Sequence, residues 1–400
     1  LRLLHRRGGG EVKRRILYVI GSLNVGGAER HLAQVAARLK ARGWEPEVFA
    51  MSPRGPLAGF LEDANVPIHG TELPNWLSTA LPNERLKARL NLVLTAIVLV
   101  LTMWWRRPHA VHFFLPAAYI VGGLASAFAF VPARIMSRRS LNNYQRSHPL
   151  FARIEHRLHP RMTLVCGNSE AVVRQLQDEG IDRSKLRLIY NGIETIPYER
   201  PFDIEQARKA MGIASDTTVF VIVANLIPYK GHSDLITAFS LIKPKLTRPW
   251  VLFCLGRDDG IAGELQLQIN AAGLGENIRL LGARSDVPDF LRMADVGILC
   301  SHEEGFSNAV LESMAAGLPM VVTNVGGNAE AVVDNLTGYV VPPHNAALLG
   351  EALLRMAENP SRAKMGEAGR LRARQLFSME SCVDRYEAMY REVGADQQVH

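Results

Sequence analysis

Short apolar runs alternate along this chain with stretches in which apolar residues return at helical spacing. The runs at 16–20, 47–51, 110–115, 134–137, 163–165 and 186–190 predict strands in the first half. The stretch 28–42 predicts a helix, with Leu32, Val35, Ala36 and Leu39 on one face and Gly43 as its stop. The second half repeats the scheme with a helix at 204–211, strands at 219–224, 251–255, 296–300 and 320–323, and closing helices at 346–358, 361–377 and 379–393. Runs apolar at every position suit parallel strands covered on both faces, so the fold class expected is α/β with doubly wound, Rossmann-like sheets. Ligands in such sheets lie outside the carboxyl ends of the strands.

The 400 residues allow two domains, each with its own core. Residues 193–203, with Pro197 and Pro201, read as the linker. The divisions expected are 1–195, 196–376 and a last segment at 377–400. No solenoid period and no low-complexity block interrupts them.

With 48% apolar and 21% charged residues the composition is that of an ordinary globular protein. Cys166, Cys254, Cys300 and Cys382 are scattered, so neither a disulfide frame nor a zinc site is expected, and a cytoplasmic location follows. The net charge of +7 raises nucleic acid as a partner, but no basic, aromatic-interleaved motif supports it. An anionic membrane surface fits better. Arg2, Arg6, Arg7, Lys13, Arg14 and Arg15 crowd the amino terminus, and Arg85, Lys87, Arg89, Arg106 and Arg107 flank the apolar run 90–105. That run is shorter than the roughly 20 residues a span needs. A helix buried against the sheet is expected there, with a helix on the inner membrane face as the alternative. Gly8, Gly9 and Gly10 stand where a secretory leader would need an apolar core, so none is expected.

Candidate chemistry concentrates at 301–330, SHEEGFSNAVLESMAAGLPMVVTNVGGNAE. Between the strands at 296–300 and 320–323 lies a helix that Ser307 or Asn308 can cap, with Val310, Leu311, Met314 and Ala315 buried and Gly317 and Pro319 ending it. Its start offers unpaired amides and a positive dipole end to a phosphate. Glu304 precedes the helix, and Glu312 in its second turn leans back towards the same end. Each alone reads as a surface residue. Together, beside a phosphate site, they suit the vicinal hydroxyls of a sugar and a ribose. Lys230, on the loop after the strand at 219–224, is placed to neutralise phosphate. The glycine loop 21–27 is not spaced as GxGxxG, and no acid ends the following strand, which disfavours a dinucleotide oxidoreductase.

Glu304-Gly305-Phe306, seven intervening residues, Glu312, then Ala316-Gly317-Leu318-Pro319 and Gly326-Gly327 with Glu330, resembles the signature of the retaining glycosyltransferases of family 4, the two-domain GT-B type with an EX7E motif. Gly26-Gly27-Ala28-Glu29-Arg30 is similar to the family's GGAER loop, and Tyr190-Asn191-Gly192-Ile193-Glu194 to its NG(I/V)D turn, here with Glu for Asp. Where relatives place a donor-contacting His, this chain has Arg139. Where they place an Arg ahead of the phosphate Lys, it has Asn225. Arg257 lies in a region similar to the family's GxG segment. Residues 278–284, ending at Arg284, resemble the segment that frames the nucleobase.

The resemblance implies two domains facing across a cleft, with the last helix returning to the first. It implies transfer of a hexosyl or N-acetylhexosaminyl group from a nucleoside-diphosphate sugar to an acceptor hydroxyl, with retention and without a metal or other cofactor. A UDP-sugar is the favoured donor and GDP-mannose the second. Glu304, Lys230 and Arg139 take the catalytic roles. Gly26, Gly27, Asn225, Gly305, Phe306, Ser307, Asn308, Glu312 and Arg284 bind substrate. A saccharide or lipid-linked acceptor in cell-surface polysaccharide or glycoconjugate synthesis is expected. A nucleotide-sugar epimerase of GT-B fold and a non-catalytic membrane-associated scaffold are the alternatives.

Overall fold

The computed structural model describes residues 15–24, 26–52, 55–72 and 83–395. The basic residues Arg2, Arg6, Arg7, Lys13 and Arg14 and the glycines at 8–10 lie outside them. The first sheet contains β1 (Arg15–Ser22), β2 (Glu45–Ser52), β3 (Ile68–His69), β4 (Ala110–Phe114), β5 (Ala133–Arg138), β6 (Leu164–Gly167) and β7 (Leu186–Leu188). Its order is β3-β2-β1-β4-β5-β6-β7, parallel throughout. The second contains β8 (Thr218–Val223), β9 (Trp250–Leu255), β10 (Ile278–Gly282), β11 (Val296–Leu299), β12 (Met320–Thr323) and β13 (Gly338–Val341). Its order, β10-β9-β8-β11-β12-β13, is also parallel.

Each sheet reverses its winding once, between β1 and β4 in the first and between β8 and β11 in the second. Loops leaving the carboxyl ends of two such strands run in opposite directions and open a crevice. Lys230 follows β8 and Glu304 follows β11, so the two motif loops flank the crevice of the second sheet.

Helices cover both faces of the first sheet. One core holds Ile16, Tyr18, Leu32, Val35 and Phe114, and the other holds Leu17, Val19, Phe113, Tyr119 and Val165. The carboxyl-terminal helix Met379–Ala395 crosses from the second domain into the first of these cores with Met379, Val383, Tyr386, Tyr390 and Val393. The two crossing segments pair, since the Ile193 N–H reaches the Phe377 carbonyl at 2.9 Å and the Met379 N–H reaches the Ile193 carbonyl at 2.9 Å. Residues 193–203 are not wholly extended, because Ile196–Glu199 forms a short helix. The strand expected at 186–190 stops at Leu188.

The apolar run 90–105 belongs to a longer helix than expected, Glu84–Arg106. Asn83 caps it by accepting from the Arg85 and Leu86 amides at 2.9 and 3.3 Å, and Arg107 ends it in a left-handed conformation ahead of Pro108. This corrects in part the expectation of a helix buried against the sheet, since only one side is buried there. Thr95, Leu99, Thr102 and Met103 are buried, while Leu90, Val93, Ile97, Leu101, Trp104 and Trp105 are exposed. Periodicity marks the inner side of a helix by contrast with a polar outer side. A run apolar all round carries no such contrast.

Candidate active site

The loop from Ser301 to Ser307 leaves β11 at the crevice. Ser301 is fully buried, and its carbonyl is held by the Thr323 hydroxyl at 2.5 Å, which ties the ends of β11 and β12 together. Glu304 Oε1 accepts from Lys230 Nζ at 2.6 Å and from Ser301 Oγ at 2.7 Å. Lysine and glutamate, 74 positions apart in sequence, thus share a mostly buried contact at the mouth of the second sheet. Nearby His232 is pushed down to about 4 by burial and by the Lys230 charge, so at neutral pH it adds no second cation.

Gly305 and Gly326 permit the packing of this loop. A Cβ on Gly305 would stand 2.3 Å from the Arg139 carbonyl oxygen, and one on Gly326, at φ +51°, would stand 1.9 Å from that of Glu304. Glycine is needed at both for backbone to approach backbone. Glu304 therefore lies in a loop pressed between the first domain at Arg139 and the turn after β12. Phe306 fixes its other end, stacked on Tyr190 at 4.9 Å and edge-on to Phe377 at 5.3 Å.

The helix expected between the strands is Asn308–Ala315. Ser307 occupies the cap position but its side chain makes no capping bond, and Asn308 Oδ1 instead accepts from Asn191 Nδ2 at 2.7 Å. Neither residue caps the helix, which corrects the expectation and leaves its first amides available to an anion. Glu312 is half-buried on this helix. Desolvation raises its carboxyl to about 7, and the charge of Arg30 pulls in the opposite direction. Arg30 belongs to the helix Gly27–Ala41, for which Gly26 is the extended N-cap residue, so the glycine loop of the first domain faces the second acid of the second domain. Tyr198 joins this corner, its phenol raised by burial and by Glu312.

The Arg139 backbone touches this loop, but its side chain bonds elsewhere. Its Nη2 donates to Asn191 Oδ1 at 2.6 Å, its Nη1 lies 3.5 Å from the Tyr386 hydroxyl, and its guanidinium sits over the Phe114 ring. Its charge helps burial hold His31 and His112 well below the usual histidine range. Arg139 is thus a cation at the junction where the chain crosses between the domains, here the hinge, between the first sheet and the returning helix. Asn191 links it to the Glu304 loop by donating to the Phe306 carbonyl at 2.8 Å. Asn225 Oδ1 accepts from the Arg257 amide at 3.2 Å, its Nδ2 donates to Asp259 at 3.3 Å, and Arg257 itself pairs with Asp259 at 2.7 Å. Arg284, exposed after β10, pairs with Asp286 at 2.5 Å.

Four residues of this region have roles that the sequence did not assign, although Asn191 and Glu330 stood in its motifs. Ser301 orients Glu304, and the signal that could have found it is the S-x-x-E spacing, which reads equally as a helix cap. Asn191 joins the two domains and Tyr198 lies beside Glu312. Glu330 accepts the Glu170 and Ala171 amides at 2.7 and 2.9 Å, capping a first-domain helix, Glu170–Asp178, from the second domain. The fold also gathers Asp234, His302 and His344, with His302 Nε2 at 2.8 Å from Asp234 and its ring 3.7 Å from that of His344.

Two facing parallel-sheet domains, a helix crossing back, and motif loops at the switch point of the second sheet define the GT-B class. A family model described as Glycosyl transferases group 1 matches residues 203–372, and one described as Glycosyltransferase Family 4 matches residues 25–196. The chain belongs to the family 4 glycosyltransferases and is a glycosyltransferase enzyme. It is 28% identical to a D-inositol 3-phosphate glycosyltransferase of Acidothermus cellulolyticus, over 95% of this chain and 88% of that one. It is 26% identical to an N-acetyl-alpha-D-glucosaminyl L-malate synthase of Bacillus anthracis, over 58% of this chain and 60% of that one. The crystal structure of Anabaena HepE in complex with UDP superposes with a TM-score of 0.81 at 22% identity, covering 94% of this chain and all of the other.

Proposed function

We propose that this enzyme moves a sugar from a UDP-sugar to an acceptor hydroxyl with retention of anomeric configuration, in the synthesis of a cell-surface polysaccharide or glycoconjugate. The observation that carries this reading is the contact of Lys230 with Glu304 beside the uncapped start of the helix Asn308–Ala315. In the reaction Lys230 and the helix amides hold the departing diphosphate, where negative charge grows. Glu304, paired with Lys230 and oriented by Ser301, accepts from hydroxyls of the transferred sugar. Glu312, near 7, accepts from or donates to the ribose hydroxyls. The acceptor proton goes to the leaving phosphate, and lysine with helix amides supplies the stabilisation a divalent metal would otherwise give.

Uridine as the base is favoured by the HepE complexes, solved with UDP and with UDP-glucose. The four cysteines are buried thiols, in keeping with a cytoplasmic enzyme. A thermal-shift panel of UDP, GDP, ADP and their sugars tests the donor, since a ligand at 100 times its Kd adds about 2.7 kcal/mol. UDP and a UDP-sugar should stabilise the protein. Stabilisation by GDP alone would overturn the base, and an epimer formed without acceptor would overturn transfer.

A further inference from the structure

The outer face of the first domain carries a surface that the active site does not use. On the helix Glu84–Arg106, Leu86, Leu90, Val93, Ile97, Leu101 and Trp104 recur three or four residues apart and are exposed. Spacing of this kind puts them in one stripe. Leu92 and Trp105 widen it, and Trp105 is 80% exposed. The neighbouring helix Pro116–Phe128 extends it, with the Trp104 indole N–H donating to the Phe128 carbonyl at 3.2 Å. Phe128 is 69% and Phe130 85% exposed, the latter held at a positive φ of 49°. An apolar area spread over two adjacent helices is more than scattered surface hydrophobes and marks an interaction site.

Charge identifies the occupant. Residues 90–105 contain no charged side chain, while Arg85 and Arg89 at one end and Arg107 at the other are exposed and, among the described residues, lack an acidic partner. A second copy of this chain laid on the stripe would bring its cations near these cations. A bilayer with anionic headgroups meets the apolar stripe with acyl chains and the arginines with phosphates. The tryptophans at the helix end suit the headgroup boundary. Crossing the membrane is disfavoured, because Leu99 and Met103 pack into the core of the first sheet with Thr95 and Thr102 also buried, and a span would strip them from it.

We infer that the face formed by the helices Glu84–Arg106 and Pro116–Phe128 docks the protein on an anionic lipid surface, with the helix Glu84–Arg106 lying along the membrane plane. This orientation bears on the acceptor, a point that rests on the transferase reading above. The amino-terminal end of the helix stands at the carboxyl edge of the first sheet, where Met51, Ser52, Glu84, Lys87, Ala88 and Asn91 line an open pocket of about 310 Å³. Docking therefore brings the acceptor side of the cleft to the headgroup layer, and the acceptor class that fits is a saccharide on a membrane-embedded lipid carrier.

The test uses the full chain with vesicles of phosphatidylcholine, alone or with phosphatidylglycerol added. We expect sedimentation with the anionic vesicles, and quenching of tryptophan fluorescence by brominated lipid that the W104F/W105F variant loses. Replacing Arg85 and Arg89 by Glu should weaken vesicle binding at least about tenfold, and W104S/W105S/F130S should abolish it. Both variants should keep the thermal shift given by UDP, which separates lost docking from lost folding and from failure of the donor reading. Equal binding to neutral vesicles, no binding to either kind, or a dimer dispersed by the tryptophan substitutions would each overturn the assignment.

Discussion

The Glu330 carboxylate, on the second domain, accepts the Ala171 amide of the first at 2.9 Å. With the Glu170 amide at 2.7 Å and Ser169 Oγ capping the Val172 amide at 3.1 Å, the start of the helix Glu170–Asp178 is satisfied partly from across the cleft. The residue that caps this helix is therefore also one that holds the domains together.

Replacing Glu330 by Ala should lower unfolding stability by about 1–2 kcal/mol, within the range for loss of a helix cap. Urea unfolding checks this, alongside KM for the donor, which should rise if domain contact accompanies binding. Unchanged values of both would show that the contact holds nothing.

Lys230→Met and Glu304→Gln should each reduce kcat by about 10²–10³, the usual scale for removing a preorganised charge at a reacting centre. The double variant should lose less than the product of the two, because each partner orients the other. Circular dichroism should show both folded. Turnover unchanged in the double variant would remove these residues from the chemistry.

Glu312 has a folded pKa of about 7 against an ordinary 4.5, so between these values the unfolded chain has released a proton that the folded one keeps. Stability falls as pH rises through that window and is flat above it. Glu312→Gln removes this dependence. The variant should gain stability relative to the parent between pH 5 and pH 8, as read from urea midpoints. A constant difference across that range would show that the carboxyl titrates normally.

Arg139→Met leaves Asn191 Oδ1 without its strongest donor and takes a charge from the hinge. We expect a loss of about 1.5–3 kcal/mol in stability, the range for a hydrogen bond to a charged group, since Asn191 Oδ1 keeps only the 3.3 Å bond from Asn168 Nδ2, with the thermal shift given by UDP largely kept. A variant of normal stability that no longer responds to UDP would instead place Arg139 on the diphosphate.

Activity should survive EDTA, because lysine and helix amides carry the leaving-group charge in the proposed reaction. Rates that fall on chelation and return with a divalent metal would contradict this. Loss of that rescue in His302→Ala would then locate the ion at Asp234, His302 and His344.

The alternation of fully apolar runs with amphipathic stretches was enough to read two parallel sheets, because each strand buried on both faces and each helix buried on one leaves a local period. The loops at Lys230 and Glu304 were legible for the same reason: a strand end followed by a helix start puts any intervening residue at the carboxyl edge. Local spacing marked Asn191 only as a turn residue and carried nothing about its bonds to Arg139, Phe306 and Asn308 across the hinge. Nor did it show that Ser307 and Asn308 leave their helix uncapped, since both are good capping residues by type.

The sequence by itself determined the class of fold, the two switch-point loops and the residues on them, because those follow from short-range periodicity and from which side chains suit phosphates and hydroxyls. Tertiary structure alone decided that Arg139 turns to the hinge, that Glu330 reaches across the cleft, and that the helix Glu84–Arg106 shows its apolar side to the outside. Each of these depends on which surfaces meet after the chain has folded back over a hundred or more residues or has packed helix on sheet, and a local pattern holds no record of that meeting.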